Sequence, residues 1–217
     1  MSAFSPAKTR VLIEAAEAGR ADEVARLLAD PRVDPAAHDD IAVHLAAWKG
    51  HAEVVALLLA DPRVAPAACV GDALRDAACG GHAGVVALLL AHPCTDPAAR
   101  DAALGFAAAG GHPGVLALLL ADPRADPAAD NNHALRMAAG NGRTEVVALL
   151  LGDPRVDPAA LDVPWYAAFR TRPLVAEALA LRRRWSPLRA AWAAAAVAGA
   201  AALARADAEL ADAPAGR

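Results

Sequence analysis

Seven histidines and three cysteines in this 217-residue chain could carry acid–base, nucleophilic or metal chemistry. A histidine can move a proton or hold a metal ion near neutral pH, and a cysteine can do either job once its thiolate is stabilised. Their spacing argues against such roles. His51, His82 and His112 each follow a glycine at one fixed place in a repeating phrase, and Arg20 and Arg143 take that place in other copies. A position that alternates between histidine and arginine reads as architecture, so these side chains are expected to bond a neighbouring loop. Cys69, Cys79 and Cys94 fall in different copies with no paired spacing, and with His82 or His92 they match no metal template. Reduced thiols in a cytosolic or nuclear protein are the simplest account. No Ser-His-Asp or Cys-His constellation, glycine-rich phosphate loop or isolated carboxylate pair stands apart from the repeat. The expectation is a non-catalytic chain with no cofactor, metal or small-molecule substrate.

The elements that position these groups come from five copies of one phrase. They are GRADEVARLLADPRVDPAA from Gly19, GHAEVVALLLADPRVAPAA from Gly50, GHAGVVALLLAHPCTDPAA from Gly81, GHPGVLALLLADPRADPAA from Gly111 and GRTEVVALLLGDPRVDPAA from Gly142. The opening glycines step by 31, 31, 30 and 31 residues. Such a period marks stacked units that cannot bury their apolar faces alone, and therefore a solenoid whose job is surface presentation. Between phrases lie Ala-rich segments in which an aliphatic residue is followed three and four places on by alanine, as in Leu74 with Ala77 and Ala78, which is one helical stripe. After each glycine comes a run such as Val54, Val55, Leu57, Leu58 and Leu59, too apolar for a solvent-facing helix. The unit is helix, tight turn, helix, then a loop. Proline at 31, 62, 93, 123 and 154 ends each second helix. A second Asp-Pro at 34–35, 96–97, 126–127 and 157–158 supplies an N-cap and first-turn pair, so Pro-Ala-Ala is expected to start a short helical turn. The second copy has Ala65 where that Asp should be, a loss of about 1 kcal/mol.

At Ile41 to Ala60, IAVHLAAWKGHAEVVALLLA resembles the ankyrin repeat, in which a Thr-Pro-Leu-His box opens the first helix, Gly-His joins the helices, and Val-Val with leucines forms the second. The resemblance spans roughly Phe4 to Leu181. It implies an all-α solenoid of about six repeats, residues 1–181, with a degenerate sixth unit at Asp162 to Leu181. The family's usual period is about 33 residues, so the deletion falls in the finger, where the Pro-Ala-Ala turn is expected to replace a β-hairpin. The box reads Asp72-Ala73-Leu74-Arg75 in the third unit and His133-Ala134-Leu135-Arg136 in the fifth. By the same resemblance, partners are gripped by loop tips and the exposed faces of first helices, and the partner is a protein. The contact candidates are Trp48, Lys49, His44, Arg75, Asn131, Asn132, Arg136, Asn141, Tyr166 and Arg170. Trp48 is expected partly exposed on the concave side with Lys49 beside it. Arg75 and Arg136 are expected to bond loop carbonyls.

Charge is uneven. Residues 1–164 carry 13 basic and 21 acidic groups, and residues 165–217 carry 8 and 4, giving net −8 and +4. Nucleic acid and membrane are disfavoured as partners, because the basic cluster is short and the rest of the chain repels phosphate. The alternative reading is a membrane- or nucleic-acid-associated adaptor acting through that basic end. Residues 190–204 are uncharged but too short, and too rich in alanine, to span a bilayer. Residues 182–217 are instead expected to supply a helix, Ser186 to Ala211, that caps a monomeric solenoid and turns Trp185 and Trp192 onto its open end. Removing residues 184–217 is expected to lower the melting temperature or cause aggregation. Unchanged melting of the truncated chain, with salt-sensitive binding of the intact chain to anionic vesicles, would favour the adaptor.

Overall fold

A computed structural model describes residues 4–64 and 66–156. The sixth unit, Ala65, Tyr166, Arg170, the C-terminal helix and the boundary at residue 181 lie outside them. The described residues form ten helices in five antiparallel pairs: α1 (Pro6–Glu17) with α2 (Ala21–Leu28), α3 (Ala37–Lys49) with α4 (Ala52–Ala60), α5 (Pro66–Gly80) with α6 (Ala83–Ala91), α7 (Pro97–Gly110) with α8 (Pro113–Ala121), and α9 (Ala129–Gly140) with α10 (Thr144–Leu151). No strand occurs among the described residues, so the expected loss of the β-hairpin fingers holds there.

The stripe read from the Ala-rich segments is the seam between units. Ala15–Ala16, Ala46–Ala47, Ala77–Ala78, Ala107–Ala108 and Ala138–Ala139 are buried, with Leu12, Val43, Leu74, Leu104 and Leu135 one turn earlier. With only methyl groups between them, successive first helices approach more closely than successive second helices do. The second helices carry Val-Val and Leu into the same core and are held further apart by that bulk. Closer approach on the first-helix side bends a stack towards that side.

Two of the four described fingers contain a backbone feature that periodicity does not foretell. His38, Asp39 and Asp40 at the start of α3, and Asp130, Asn131 and Asn132 at the start of α9, all have φ between 50 and 59°. Each set is a full left-handed turn. Ordinary L-residues resist that conformation by about 1–2 kcal/mol each, whereas Asp and Asn are the types that tolerate it. At the corresponding places α5 carries Cys69-Val70-Gly71 and α7 Arg100-Asp101-Ala102, and both run on as right-handed helices. The second Asp of the loop phrase does cap the Pro-Ala turn: Asp34 accepts from the amide of Ala36 at 3.1 Å, Asp96 from Ala98 at 3.1 Å and Asp126 from Ala128 at 2.9 Å.

The left-handed turns bury their third residue, so Asn132, expected at an exposed tip, is covered instead. Asp40 occupies the same place and is only 7 % exposed, and its Oδ1 has no hydrogen-bond partner. Burial pushes the Asp40 carboxyl above its ordinary value; His44 opposes the shift, while Asp39 and Asp34 add to it. Folding thus disfavours the charged form. The cost is absent below the ordinary Asp value of 3.8, grows as pH rises towards and through the raised folded value, and is complete at neutral pH. Asp40→Asn, which copies Asn132, is expected to raise stability at neutral pH by about 1 kcal/mol and to bring no gain in acid, measured by denaturant melts. A stability loss at neutral pH would contradict this account.

Candidate functional site

Each first helix ends at a glycine in the left-handed region, and at Gly19, Gly50, Gly81 and Gly111 the next unit also leaves no room for a side chain. Gly19, Gly50, Gly81, Gly111 and Gly142 have φ between 68 and 82°. A Cβ on Gly81 would lie 2.6 Å from the ring of His112, and one on Gly111 would lie 2.6 Å from Cδ of Arg143. The side chain pressed on the glycine comes from the next unit and bonds the end of the preceding first helix. His51 Nε2 donates to the carbonyl of Glu17 at 3.0 Å, His82 to that of Trp48 at 2.7 Å, His112 to that of Cys79 at 2.9 Å, and Arg143 Nε to that of Ala109 at 3.2 Å. The histidines are architectural, as their exchange with arginine implied. Their acceptors are helix-terminal carbonyls rather than loop carbonyls, where a cation or donor also meets the negative end of the helix dipole.

The loop phrase makes a second tie between units. Arg63 is forked onto Asp61, and donates to the carbonyls of Val33 at 2.8 Å and Leu28 at 2.7 Å in the preceding unit. Arg155 does the same with Asp153, Ala125 and Leu120. The Arg63 guanidinium holds the Asp61 carboxyl below the usual range, against burial. Arg100 is almost fully buried with its Nε 3.1 Å from Asp122 Oδ2, a pairing not aligned for a hydrogen bond. The finger side of the stack is therefore spent on holding units together.

The first-helix face is open. Residues two and five places before each turn glycine share one helical face. They are Glu17 and Glu14 on α1, Trp48 and Leu45 on α3, Cys79 and Asp76 on α5, Ala109 and Phe106 on α7, and Gly140 and Met137 on α9. Trp48 is 46 % exposed and Phe106 44 %. Lys49 is exposed beside Trp48 and reaches Glu17 at 3.9 Å. His44, half-buried, places Nδ1 2.8 Å from Asp76 Oδ2 in the next unit. These five side chains, Trp48, Lys49, His44, Glu17 and Asp76, form one neighbourhood.

The other expected contacts make separate pairings. Arg136 donates to the carbonyls of Asp130, at 2.8 Å, and Asn131, as expected, but these belong to its own left-handed turn. Arg75 corrects the expectation: it pairs with the Asp72 carboxylate one turn back on α5, not with a loop carbonyl. Asn131 is exposed on the finger, and Asn141, exposed, donates to the Met137 carbonyl at 2.8 Å. Phe106 and Asp76 went unread in the sequence. The signal was present: each stands three residues before the position occupied by Trp48 in its own unit, one helical turn along the same face.

Among the described residues no three His, Cys, Asp or Glu side chains converge to hold a metal ion. Cys69 is buried and its thiol is pushed up to about 11 by desolvation first and by Asp40 second; Cys79 is half-buried and Cys94 exposed. No helix among the described residues is long and apolar enough to cross a membrane.

The hydrogen bond to Asp76 raises the His44 pKa above its ordinary 6.5 against the opposing effect of burial. A raised histidine stabilises the fold fully below its unfolded value, and the contribution is lost as pH climbs through the raised folded value. Replacing Asp76 by Asn is expected to cost up to about 1 kcal/mol below pH 6.5, with the gap shrinking above the raised value, and to lower the His44 pKa read by NMR. A gap independent of pH would contradict the pairing.

A family model of ankyrin repeats in three copies matches residues 74–162, and a single ankyrin-repeat model matches residues 38–67. No curated protein matches the chain. The two ankyrin matches together cover more than half of the sequence and fall on the helix pairs described above, so the chain belongs to the ankyrin-repeat family.

Proposed function

We propose that this chain is a protein-binding module that grips its partner on the concave first-helix face, with Trp48 and Phe106 as anchors. Ankyrin repeats are generally protein–protein interaction modules and typically non-catalytic. The observation that supports a specific site is the exposure of two large aromatic side chains in a row floored by small ones: Cys79, Gly80, Ala109 and Gly110. Tryptophan is strongly enriched among residues that carry binding energy, and anchors of this kind work at the centre of a patch rimmed by polar groups. Lys49, His44, Arg75, Arg136, Asn131 and Asn141 form that rim in this reading, and Asn132 drops out because it is buried. Tyr166 and Arg170 extend the row if the sixth unit continues it. The proposed module is a monomer that works inside the cell with a protein partner.

The backbone at Trp48 is fixed by the His82 bond, so truncating the side chain leaves the stack intact. Affinity capture from the source cell with the native protein, Trp48→Ala and Phe106→Ala is the test. A partner retained by the native protein is expected to lose affinity by on the order of 2 kcal/mol, about 30-fold, with Trp48→Ala, and less with Phe106→Ala, while both variants melt unchanged. A captured partner whose affinity is indifferent to both substitutions would place binding elsewhere.

A further inference from the structure

Four carboxylates flank the two aromatic anchors, and they are not alike. Glu14 pairs with Arg10 at 3.1 Å, Glu17 with Lys49 at 3.9 Å, and Asp72 with Arg75. Each of these has a partner that stays charged at any ordinary pH. Asp76 has His44. Helix α5 packs between α3 and α7, so Asp76 stands between the helix of Trp48 and the helix of Phe106. The two anchors are separated by two helix spacings, about 16–20 Å. Asp76 is 34 % exposed, and its nearest neighbours in the row, Cys79 and Gly80, are too small to screen it.

We propose that the face accepts a segment that sets one lysine or arginine on Asp76 between two apolar side chains packed on Trp48 and Phe106, with His44 competing for the same carboxylate. The inference rests on the reading of this face as the partner groove. It goes further by naming the partner's chemistry and a control on it. An exposed cation binding a partly buried carboxylate is screened less than a surface pair, and the charge-assisted bond is roughly twice as strong as a neutral one. Occupancy of Asp76 by a protonated His44 removes that attraction. The charged groups facing His44 are Asp76 and Asp72 from α5 and Asp40 from α3, with Glu17 of α1, Lys49 of α3 and Arg75 of α5 around the same neighbourhood. Histidine is the type among them whose charge ordinarily changes between about pH 6 and 8. Acidification therefore closes the cation subsite, and neutral or alkaline pH opens it.

The test uses a displayed library of random peptides about ten residues long, which span about 30 Å when extended, selected on the full chain at about pH 8. Peptides that bind are expected to carry Lys or Arg between apolar residues. As free peptides they should weaken by about tenfold or more with Asp76→Asn, with Trp48→Ala, and on moving the native protein to about pH 6. The His44→Gln protein, which keeps a neutral donor beside Asp76, should retain its alkaline affinity at the lower pH. Peptides that lose binding with Trp48→Ala but lack a basic residue, or bind Asp76→Asn unchanged, would overturn this inference and leave the groove standing. Affinity that falls equally in acid for His44→Gln would overturn the competition. Selection of no peptide, or only of peptides indifferent to Trp48 and Phe106, would overturn both the inference and the groove.

Discussion

Everything in this solenoid hangs on a bond made across a missing side chain. At Gly19, Gly50, Gly81 and Gly111 the turn glycine is left-handed and bare, and the next unit's histidine or arginine lies on it and donates to a carbonyl at the end of the first helix behind. That contact closes the helix end, which would otherwise leave carbonyls unsatisfied, and it sets the distance between units. With the spacing held there, alanine pairs suffice to fill the seam between first helices. In the proposed reading the same bond also serves function, because the acceptor in the second unit is the carbonyl of Trp48 itself. The most exposed aromatic side chain of the groove thus projects from a backbone atom clamped by the neighbouring repeat, which lowers the entropy lost when a partner covers it.

The two sides of the stack divide their labour. On the finger side, Arg63 and Arg155 each satisfy a carboxylate of their own loop and two carbonyls of the preceding unit, one at the end of its second helix and one in its loop, so charge, cap and stacking are secured by one side chain. The third loop reads His92-Pro93-Cys94 and has no such arginine; there the His92 ring instead accepts the Cys94 amide at 3.3 Å. On the first-helix side the polar groups pair pointwise and sparsely, leaving Trp48 and Phe106 uncovered. Stability is concentrated where no partner is needed, and the surface left free is the one the repeat does not use for stacking.

Much of this was legible in the sequence, and the division between what was and was not has a physical basis. Features set within one unit were readable: the helix pairs, the buried Ala-Ala stripe, the Asp caps of the Pro-Ala turns. So was the structural role of His51, His82 and His112, because the exchange with Arg20 and Arg143 reports what the position must do. The particular partners that meet between units were not. The reach of Arg63 to Val33 and Leu28 crosses 30 and 35 residues, and the pairing of His44 with Asp76 crosses 32; no local pattern encodes either. The left-handed turns were an intermediate case. His-Asp-Asp and Asp-Asn-Asn announce tolerance of positive φ, but no local pattern announces that their third residue is buried, which removed Asn132 from the contact set and left Asp40 with an unpaired oxygen. Phe106 stands one turn before the pair of residues that precedes its glycine, on the same helical face, so its place follows from helical periodicity alone.

The central claim is that partners are held on the first-helix row and that the second helices serve only as its backing. Amide hydrogen exchange of the full chain, free and saturated with a partner captured by it, reads that claim directly, since covered and rigidified segments slow their exchange. The account predicts added protection in α3, α5 and α7 around Trp48, Asp76 and Phe106, with α4, α6 and α8 unchanged. Added protection confined to the second helices, or to the loops carrying Arg63 and Arg124, would contradict it.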